Sequence, residues 1–405
     1  MKISFSPPDI SEYEVEQAAQ ALRSGWITTG PKTKLFEKKL SEYCGTTHTV
    51  CLNSATAALE TTLRVLGIGY GDEVITCAYT YTASASVIYH VGAKIVLVDT
   101  APDSYEMDYE KLASAITDKT KAIITIDIGG VMCDYDKIFD VLAKKSSLFT
   151  PSNDIQRNFA RPIIIADAAH SLGSTYHGVS SGRVADFTCF SFHAVKNLTT
   201  AEGGAVTWLE REGIDSDALY NDYMLYSLHG QNKDALAKVR LGAWEYDIVN
   251  LGYKCNMTDI MAGIGLAQLE RYKGLLARRR EIVRIYDKEL LHIGITALRH
   301  DDPKRPGNRH LYLARIPGIG KETRNEIIIK MAEREIATNV HYKPLPMHTA
   351  YKNLGFDIND YPNAYAQFIN EITLPLHTLL TDEDVMYIAE SFKEVLKEMD
   401  IMPNA

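Results

Sequence analysis

Residues 50–78 read VCLNSATAALETTLRVLGIGYGDEVITCA, and this stretch decides the fold class. The apolar, β-branched runs Val50–Leu52 and Glu73–Ala78 flank the segment Ser54–Leu66, whose apolar residues recur every three or four positions. This order predicts a strand, a helix and a second strand, with the first residue of the helical segment as its N-cap. The glycines of 67–71 follow the predicted helix and precede a strand. A dinucleotide-binding loop has the reverse order, so we interpret them as a helix cap and turn.

The same alternation continues from about residue 46 to 210, and it predicts an α/β domain in which helices cross over a mostly parallel sheet. The predicted strands are Val50–Leu52, Glu73–Ala78, Lys94–Val98, Ala122–Asp127, Ile163–Ala166, Phe187–Phe192 and Gly204–Trp208. The predicted helices are Ser54–Leu66, Thr82–Val91, Tyr109–Ile116 and Tyr135–Lys144. Ser146–Arg161 has no periodicity, and we predict a surface loop there.

A change of pattern beyond Gly294 indicates a second domain. A long helix is predicted from Thr258–Asp259 to Leu290, and the short elements predicted after it are His310–Ile316, Lys321–Glu333 and Asp382–Met399. We therefore predict a large domain over residues 1–275 and a smaller C-terminal α/β domain over 276–405. The basic run Arg278–Arg280 on the long helix is expected to be an exposed, solvated face paired with Glu281, although it could attract phosphates.

Composition and charge exclude several classes of protein. The chain has 405 residues, 46% of them hydrophobic, with 26 Gly and 14 Pro, which excludes collagen-like and disordered chains. The formal net charge of -9 argues against a nucleic-acid partner. No apolar run reaches the ~18 residues that a membrane span needs, and Met1–Ile10 is too polar for a signal peptide. We expect a cytoplasmic protein without a membrane partner, and the six scattered cysteines are expected to be reduced core residues.

Polar residues cluster where several predicted strands end, and open α/β sheets bind their ligands at that edge. Asn53–Thr56 joins a strand to a helix, so its backbone N–H groups and hydroxyls could bind a phosphate at the positive helix end. N-capping by Ser54 explains the same residues equally well. Tyr79–Tyr81 follows the next strand, and its aromatic rings could stack on a flat cofactor or serve in packing.

Two charged residues also follow predicted buried strands. Ile163–Asp167 places a carboxylate at the tip of a strand, where desolvation is costly unless a cation or a strong donor meets it. A pyridinium nitrogen is one such partner, and a helix N-cap is the alternative. Phe190–Lys196 ends the next strand in a serine, a histidine and a lysine. A lysine there could have a lowered pKa and attack a carbonyl, or it could be solvated.

Together these features match one cofactor, pyridoxal phosphate. The phosphate would lie at the helix end, an aromatic ring would cover the pyridine, and Lys196 would hold the aldehyde as a Schiff base. Asp167 would keep the ring nitrogen protonated, so that the ring can accept electrons. The combination is far more specific than any of its parts.

Several motifs resemble the DegT/DnrJ/EryC1/StrS sugar aminotransferases over nearly the whole chain. The matching runs are Ser24–Pro31, Ser54–Ala57, Gly71–Thr76, Asp167–His170, Ser191–Asn197 and Ala201–Gly204. Within the family, Ser191–Asn197 and Gly252–Asn256 are most similar to the UDP-4-amino-4-deoxy-L-arabinose–oxoglutarate aminotransferase branch. The resemblance implies a homodimeric fold-type I aminotransferase that binds pyridoxal phosphate.

The resemblance also implies roles for individual residues. Lys196 would be the Schiff-base lysine, Asp167 would face the pyridine nitrogen and His170 would lie near the ring hydroxyl. The other implied contacts are Tyr81 on the ring, Ala55, Thr56 and Ser191 at the phosphate, Lys254 and Asn256 in the partner subunit's site, and His341 and Tyr342 near the sugar nucleotide. The active sites would then be shared between the subunits.

The expected reaction moves the amino group of L-glutamate to the keto group at C4 of a nucleotide-linked keto sugar, with release of 2-oxoglutarate. The product would be an amino sugar nucleotide for surface polysaccharide or glycoconjugate synthesis. One alternative is a pyridoxal-phosphate-dependent sugar dehydratase, but relatives with that activity have histidine where this chain has Lys196. The other is a non-catalytic protein that binds the cofactor or a sugar nucleotide, which a complete lysine, aspartate and phosphate set argues against.

Overall fold

The structure, a computed structural model, describes residues 2–232 and 245–401 of the chain. Its β-strands are β1 (Thr49–Leu52), β2 (Glu73–Cys77), β3 (Lys94–Val98), β4 (Thr120–Ile126), β5 (Ile163–Asp167), β6 (Thr175–Tyr176), β7 (Val179–Ser180), β8 (Phe187–Ser191), β9 (Gly204–Trp208), β10 (Thr296–Ala297), β11 (Tyr312–Arg315) and β12 (Glu371–Leu374). Seven strands form the main sheet in the order β1-β9-β8-β5-β4-β2-β3. β9 runs antiparallel to β1 and β8 and the other pairs are parallel, which confirms the mostly parallel sheet.

Helices cover this sheet and build the second part of the chain. The α-helices within the described residues are Glu12–Arg23, Pro31–Cys44, Ala55–Val65, Ala83–His90, Tyr109–Ala115, Tyr135–Lys144, Asp154–Arg157, Ser216–Ser227, Asp259–Leu290, Lys321–Glu333, Thr349–Asn353, Pro362–Asn370 and Asp382–Glu398. Short 3-10 helices lie at Ile128–Gly130, Ser146–Leu148, Ser181–Arg183, Leu291–Ile293, Leu345–Met347 and Ile358–Asp360. Every strand and helix predicted from the sequence is present, with ends shifted by no more than two residues.

The local sequence explains why these elements form where they do. β5 is buried along its whole length, as an interior strand of a sheet covered on both faces should be. The hydroxyl of Ser54 accepts a hydrogen bond from the Ala57 N–H at 3.1 Å, which confirms the predicted N-cap. Gly67 and Gly71 have positive φ, so the glycine-rich turn between helix and strand is confirmed as well.

Two hydrophobic cores share the long helix Asp259–Leu290. Leu275 and Leu276 belong to the core around the seven-stranded sheet. Ile282 and Tyr286 belong to the second core, which the antiparallel strands β10, β11 and β12 help to form. The helix is continuous across residue 276, and the predicted domain boundary at that residue stays a prediction.

Two predictions about surface segments are wrong in part. Ser146–Arg161 is not an irregular loop, because it contains a 3-10 turn and the helix Asp154–Arg157. Gln156 is fully buried and donates a hydrogen bond to the Leu66 carbonyl, so it fastens this segment to the end of the helix Ala55–Val65. Asn153 donates to the same carbonyl, and Phe159 is buried in the main core, so separate contacts and not a periodic apolar face hold the segment in place.

The basic run Arg278–Arg280 is not uniformly exposed either. Arg278 pairs with Glu281 at 3.0 Å, as predicted, but Arg279 is only 4% exposed. Its guanidinium donates to the carbonyls of Arg309, His310 and Leu376, which ties the long helix to the following chain. These three hydrogen bonds to backbone carbonyls make the burial of the positive charge tolerable.

Two further expectations from the sequence are that the cysteines are reduced core residues and that the chain has no membrane span. All six cysteines are buried free thiols. Among the described residues, no helix combines the length and the apolar character that crossing a membrane requires.

Candidate active site

A cavity of about 490 Å³ opens at the carboxyl ends of the parallel strands. All of the predicted site residues except Lys254 and Asn256 line it. Those lining it are Ala55, Thr56, Tyr81, Asp167, His170, Ser191, Lys196, His341 and Tyr342. Most of them follow strands of the main sheet, whose carboxyl ends meet at one edge. His341 and Tyr342 come from a later segment, which bridges to β12 through Asn339 and Thr373.

Asp167 is the last residue of β5 and lies in the cavity wall. Its Oδ2 accepts a hydrogen bond of 2.6 Å from the Ser84 hydroxyl, and its Oδ1 accepts one of 3.2 Å from the Ala169 N–H. Burial raises the pKa of Asp167, whereas these two hydrogen bonds and the charge of Lys196 lower it. The carboxylate is thus fixed in position and lacks the full solvation that water would give its charge.

Lys196 lies in the turn after β8, and its amine reaches the same cavity. The backbone N–H of Lys196 donates to the His193 carbonyl at 2.9 Å, which closes the turn. Burial lowers the pKa of Lys196 to about 8, although the nearby Asp167 carboxylate acts in the opposite direction. A substantial fraction of the amine is therefore neutral near pH 8, and a neutral amine is the nucleophilic form.

His170 is held in one neutral tautomer. Its Nδ1 accepts a hydrogen bond of 3.1 Å from the Gly129 N–H, so the ring proton belongs on Nε2. Nε2 lies 3.2 Å from the hydroxyl of Tyr342 and can donate to it. Burial lowers the pKa of His170 well below its ordinary value, which keeps the ring neutral. The Tyr342 hydroxyl is then free to donate its own proton into the cavity.

The start of the helix Ala55–Val65 forms another wall of the cavity. The backbone N–H groups of Ala55 and Thr56 have no acceptor among the residues that the structure describes. Gly204 of β9 passes so close that a Cβ there would lie 2.4 Å from the Ala55 nitrogen. Unpaired donors at a positive helix end, in a cavity that Ser191 also lines, are suited to bind a phosphate.

Tyr81 and His341 also line the cavity, and the two differ in exposure. Tyr81 is 61% exposed, and its ring centroid lies 6.1 Å from that of Tyr342. His341 packs against the Phe5 ring at 5.7 Å, and burial lowers its pKa to about 3. An exposed aromatic ring at the mouth of a cavity offers a face on which a flat ligand can stack.

Lys254 and Asn256 do not reach this cavity within one chain. Lys254 is exposed, and its amine forms a hydrogen bond with the side-chain oxygen of Asn256. The Asn256 amide donates to the Thr29 hydroxyl at 2.6 Å. Asn256 is half-buried, and its backbone bridges to Leu52, just before the helix Ala55–Val65, although neither side chain lines the cavity.

Sequence reasoning missed two residues of the site. Ser84, in the helix Ala83–His90, holds Asp167, but nothing in the helical pattern marks it. Asp127 follows β4 and lines the cavity, and burial raises its pKa to about 6. Its carboxylate accepts from Ser171 at 2.7 Å. Asp127 lies at the end of a predicted strand, as Asp167 does, so its position in the sequence could have identified it as a site residue.

The residues around the cavity fit pyridoxal phosphate. The unpaired N–H groups of Ala55 and Thr56 suit its phosphate, the buried Asp167 suits a protonated ring nitrogen, and the Lys196 amine suits its aldehyde. A volume of about 490 Å³ is in the range of small-molecule sites. Fold and site together define the class of pyridoxal-phosphate-dependent enzymes.

The family model of the DegT/DnrJ/EryC1/StrS aminotransferase family matches residues 8–393, and the chain belongs to this family. The chain is 58% identical to Spr1654 of Streptococcus pneumoniae, which is provisionally assigned as a sugar aminotransferase. The solved structure of that protein in its PMP form has a TM-score of 0.96 to this chain, over 98% of this chain and 99% of the other. The same protein is also known in a PLP form, which supports pyridoxal phosphate as the cofactor.

Two further relatives are named for biosynthetic roles. The spore coat polysaccharide biosynthesis protein SpsC of Bacillus subtilis is 36% identical over 407 residues, which cover 98% of each chain. Helicobacter pylori PseC, an aminotransferase involved in the biosynthesis of pseudoaminic acid, is 28% identical with a TM-score of 0.84. That match covers 98% of this chain and 100% of PseC. The protein is a sugar aminotransferase of this family.

Proposed function

We propose that the protein transfers the amino group of L-glutamate to the keto group at C4 of a nucleotide-linked keto sugar. The released keto acid is 2-oxoglutarate, and the product serves surface polysaccharide or glycoconjugate synthesis. The observation that carries the proposal is the pairing of Lys196 and Asp167 in one cavity beside unpaired helix N–H groups. The names of SpsC and PseC, which concern polysaccharide and pseudoaminic acid biosynthesis, support a sugar as the amino acceptor.

In this proposal the side chains have distinct tasks. When bound, pyridoxal phosphate supplies an aldehyde that exchanges amino groups and a ring that delocalises negative charge. Lys196 would hold the cofactor, and its amine, with a pKa of about 8, would be well suited to move a proton to and from the reacting carbon. Asp167 would provide the negative charge for the ring nitrogen, and Ser84 holds Asp167 in place.

The remaining lining residues orient the ligands. Ala55, Thr56 and Ser191 would bind the phosphate, and Tyr81 would cover one face of the ring. Tyr342, with its hydroxyl oriented by His170, would donate a hydrogen bond into the cavity. His341 would contact the sugar.

The proposed enzyme is a homodimer that shares its active sites between subunits. The segment 246–253 carries five exposed apolar side chains, Tyr246, Ile248, Val249, Leu251 and Tyr253, and Leu251 is 94% exposed. Such a patch on a folded chain marks a contact with another protein surface. Lys254 and Asn256 directly follow this patch, so a partner subunit seated on it would bring both side chains near its own cofactor phosphate. We place the dimer in the cytoplasm, where thiols such as its six buried cysteines stay reduced.

A panel of nucleotide sugars tests the proposal. The holoenzyme is converted with L-glutamate, freed of it and offered UDP-, dTDP- and GDP-linked keto sugars in turn. Acceptance is scored by return of the visible absorbance of the lysine-bound cofactor and by mass spectrometry of the aminated sugar. We expect at least one nucleotide-linked keto sugar to be accepted. Acceptance of simple keto acids alone would contradict the proposal.

Two lysine variants control this experiment. Lys196→Ala should show no return of the absorbance with any acceptor. Lys119→Ala is the matched control, because Lys119 is exposed and precedes β4 at the opposite edge of the sheet. It should behave as the unmodified protein does. A loss of signal in both variants would point to a general effect on folding.

A further inference from the structure

A short chain of hydrogen bonds leads from His341 away from the cavity to a buried carboxylate. Nδ1 of His341 lies 2.8 Å from the Thr373 hydroxyl oxygen, which lies 2.5 Å from Oε1 of Glu371. Oε2 of Glu371 accepts a hydrogen bond of 2.9 Å from the backbone N–H of His341. Thr373 and Glu371 have no exposed surface, so only the histidine end of the chain reaches the cavity.

The hydroxyl of Thr373 has one proton to donate, so the two hydrogen bonds must run in the same direction. When Glu371 is ionised, Thr373 donates to Oε1 and accepts from Nδ1–H of His341, and Nε2 carries no proton. When Glu371 is protonated, it donates to Thr373, Thr373 donates to Nδ1, and the ring proton is on Nε2. The second state holds one more proton than the first. This proton is taken up at Nε2, the Nδ1 proton moves to Thr373, and the Thr373 proton moves to Glu371.

We propose that Glu371, acting through Thr373, determines whether His341 presents a hydrogen-bond donor or an acceptor to the sugar. Among the residues that the structure describes, none forms a hydrogen bond with Nε2 of His341, which leaves that atom for a ligand. The identity of the ligand rests on the proposed function: it is a keto sugar, whose oxygen atoms can form a hydrogen bond with Nε2. Glu371 and Thr373 are positioning residues, since neither lines the cavity.

Burial, and not the charges around it, makes Glu371 the group of this hydrogen-bond chain that titrates near pH 8. Lys196, whose pKa is also about 8, acts on His341 through its charge, and the comparison with Glu371→Gln separates the two contributions. Burial raises the pKa of Glu371 to about 8, whereas burial lowers that of His341 to about 3, so the ring is neutral over the working range. The groups that face Glu371 are Arg315, Arg324, Tyr79, Tyr105, His341 and Tyr342. The arginines stay charged, and burial raises the pKa of each of these tyrosines. Below about pH 8 His341 therefore donates through Nε2–H, and above it Nε2 accepts.

The nearby arginines do not neutralise this carboxyl group directly. Arg324 donates to the backbone carbonyls of Phe368 and Glu371 at 2.8 and 3.0 Å. Arg315 donates to the Asn370 side chain at 3.0 Å. Both guanidiniums are thus directed at other acceptors, which agrees with burial being the largest influence on the Glu371 pKa.

Nitrogen NMR of the histidine rings tests the proposal without any sugar. The holoenzyme is labelled with ¹⁵N-histidine, and the His341 signals are identified by their loss in His341→Gln. We expect the ring proton on Nε2 at pH 6.5 and on Nδ1 at pH 9.5. Glu371→Gln should keep the proton on Nε2 at both pH values, because its amide N–H donates permanently to Thr373. The same tautomer at both pH values in the unmodified protein, or a pH-dependent one in Glu371→Gln, would overturn the proposal.

Two variants of Thr373 separate the relay from a loss of packing. Thr373→Ser keeps the hydroxyl and should keep the pH-dependent exchange of tautomers. Thr373→Val keeps the shape but removes the hydroxyl, so the His341 tautomer should no longer follow pH. If the tautomer of His341 still changes with pH in Thr373→Val, as expected for Thr373→Ser, the hydroxyl does not couple Glu371 to His341.

Kinetics with a keto sugar then link the tautomer to the ligand. The KM for the sugar should rise about tenfold from pH 7 to pH 9 in the unmodified enzyme, as a donor is exchanged for an acceptor. The KM should rise less in Glu371→Gln. Both enzymes contain Lys196, so its ionisation affects both pH profiles equally and cannot cause the difference between them. If the KM of both enzymes changes with pH in the same way, Nε2 forms no hydrogen bond with the sugar. If no keto sugar reacts, the proposed function fails while the NMR result on the relay still stands.

Discussion

Replacing Asp167 with asparagine should lower the rate of amino transfer by about 10²–10³-fold without unfolding the protein. The substitution keeps the shape of the side chain, so its oxygen can still accept from the Ala169 N–H, which lies 3.2 Å from Oδ1. The Ser84 hydroxyl, 2.6 Å from Oδ2, can turn to accept from the new amide. What is lost is the negative charge opposite the cofactor ring.

The magnitude follows from what that charge does. A preorganised electrostatic partner of a reacting group in a closed site contributes about 2.7–4 kcal/mol to the transition state. Burial raises the pKa of Asp167, which shows that its surroundings screen the charge poorly. A neutral amide cannot hold the ring nitrogen protonated, so nearly the whole contribution should disappear.

The assay is a single turnover of the holoenzyme with L-glutamate, followed by visible absorbance in a stopped-flow instrument. Ser84→Ala is the comparison, because it removes one hydrogen bond to a charged group, worth about 1.5–3 kcal/mol, and leaves the carboxyl in place. Since that bond lowers the pKa of Asp167, its loss raises the pKa, and the variant should regain activity as the pH rises. Asp167→Asn should regain none.

Two results would refute this reasoning. One is an Asp167→Asn variant that binds cofactor and retains more than about a tenth of the rate, which would make the charge structural. The other is an Asp167→Asn variant with a strongly lowered melting temperature, since the rate loss would then reflect misfolding. Circular dichroism and thermal denaturation distinguish the two.

Three further predictions concern other parts of the site. The rate at which the apoenzyme captures pyridoxal phosphate should rise with pH with a midpoint near pH 8, because burial lowers the pKa of Lys196 to about 8; a midpoint near that of an ordinary lysine would contradict the assignment. Gly204→Ala should weaken cofactor binding at least about tenfold by fluorescence titration, since its Cβ would lie 2.4 Å from the Ala55 nitrogen, and unchanged affinity would show that this close approach is unimportant. Mixing inactive Lys196→Ala and Lys254→Glu chains should restore one good site per heterodimer, and verified heterodimers without activity would refute the shared site.

The parts of the fold that the sequence predicted are those set by local periodicity. The run Val50–Ala78 contains a cap, an apolar helix face and two buried strands, and each leaves its own mark on a short window of residues. Asp167 and Lys196 could be singled out for the same reason, because each follows a strand-like run that ends at the ligand-binding edge.

The rest depends on which segments become neighbours in space. Ser84 acts on Asp167 from a helix 83 residues earlier, and no window of sequence contains both. The burial of Arg279 depends on carbonyls that the chain presents only after it folds back. Glu371 and His341 lie 30 residues apart, and their side chains are joined through the Thr373 hydroxyl, so their relation could only be seen in the structure.

The most direct test of the central claim is to find the residue to which the cofactor is attached. Borohydride reduction fixes pyridoxal phosphate on the lysine that holds it, and peptide mass spectrometry then identifies that lysine. We expect modification of Lys196 in the holoenzyme, and no modification when L-glutamate is added before reduction, because the amine of Lys196 is then free. Modification of a different lysine, or modification of Lys196 that persists after treatment with glutamate, would show that Lys196 is not the residue that holds the cofactor.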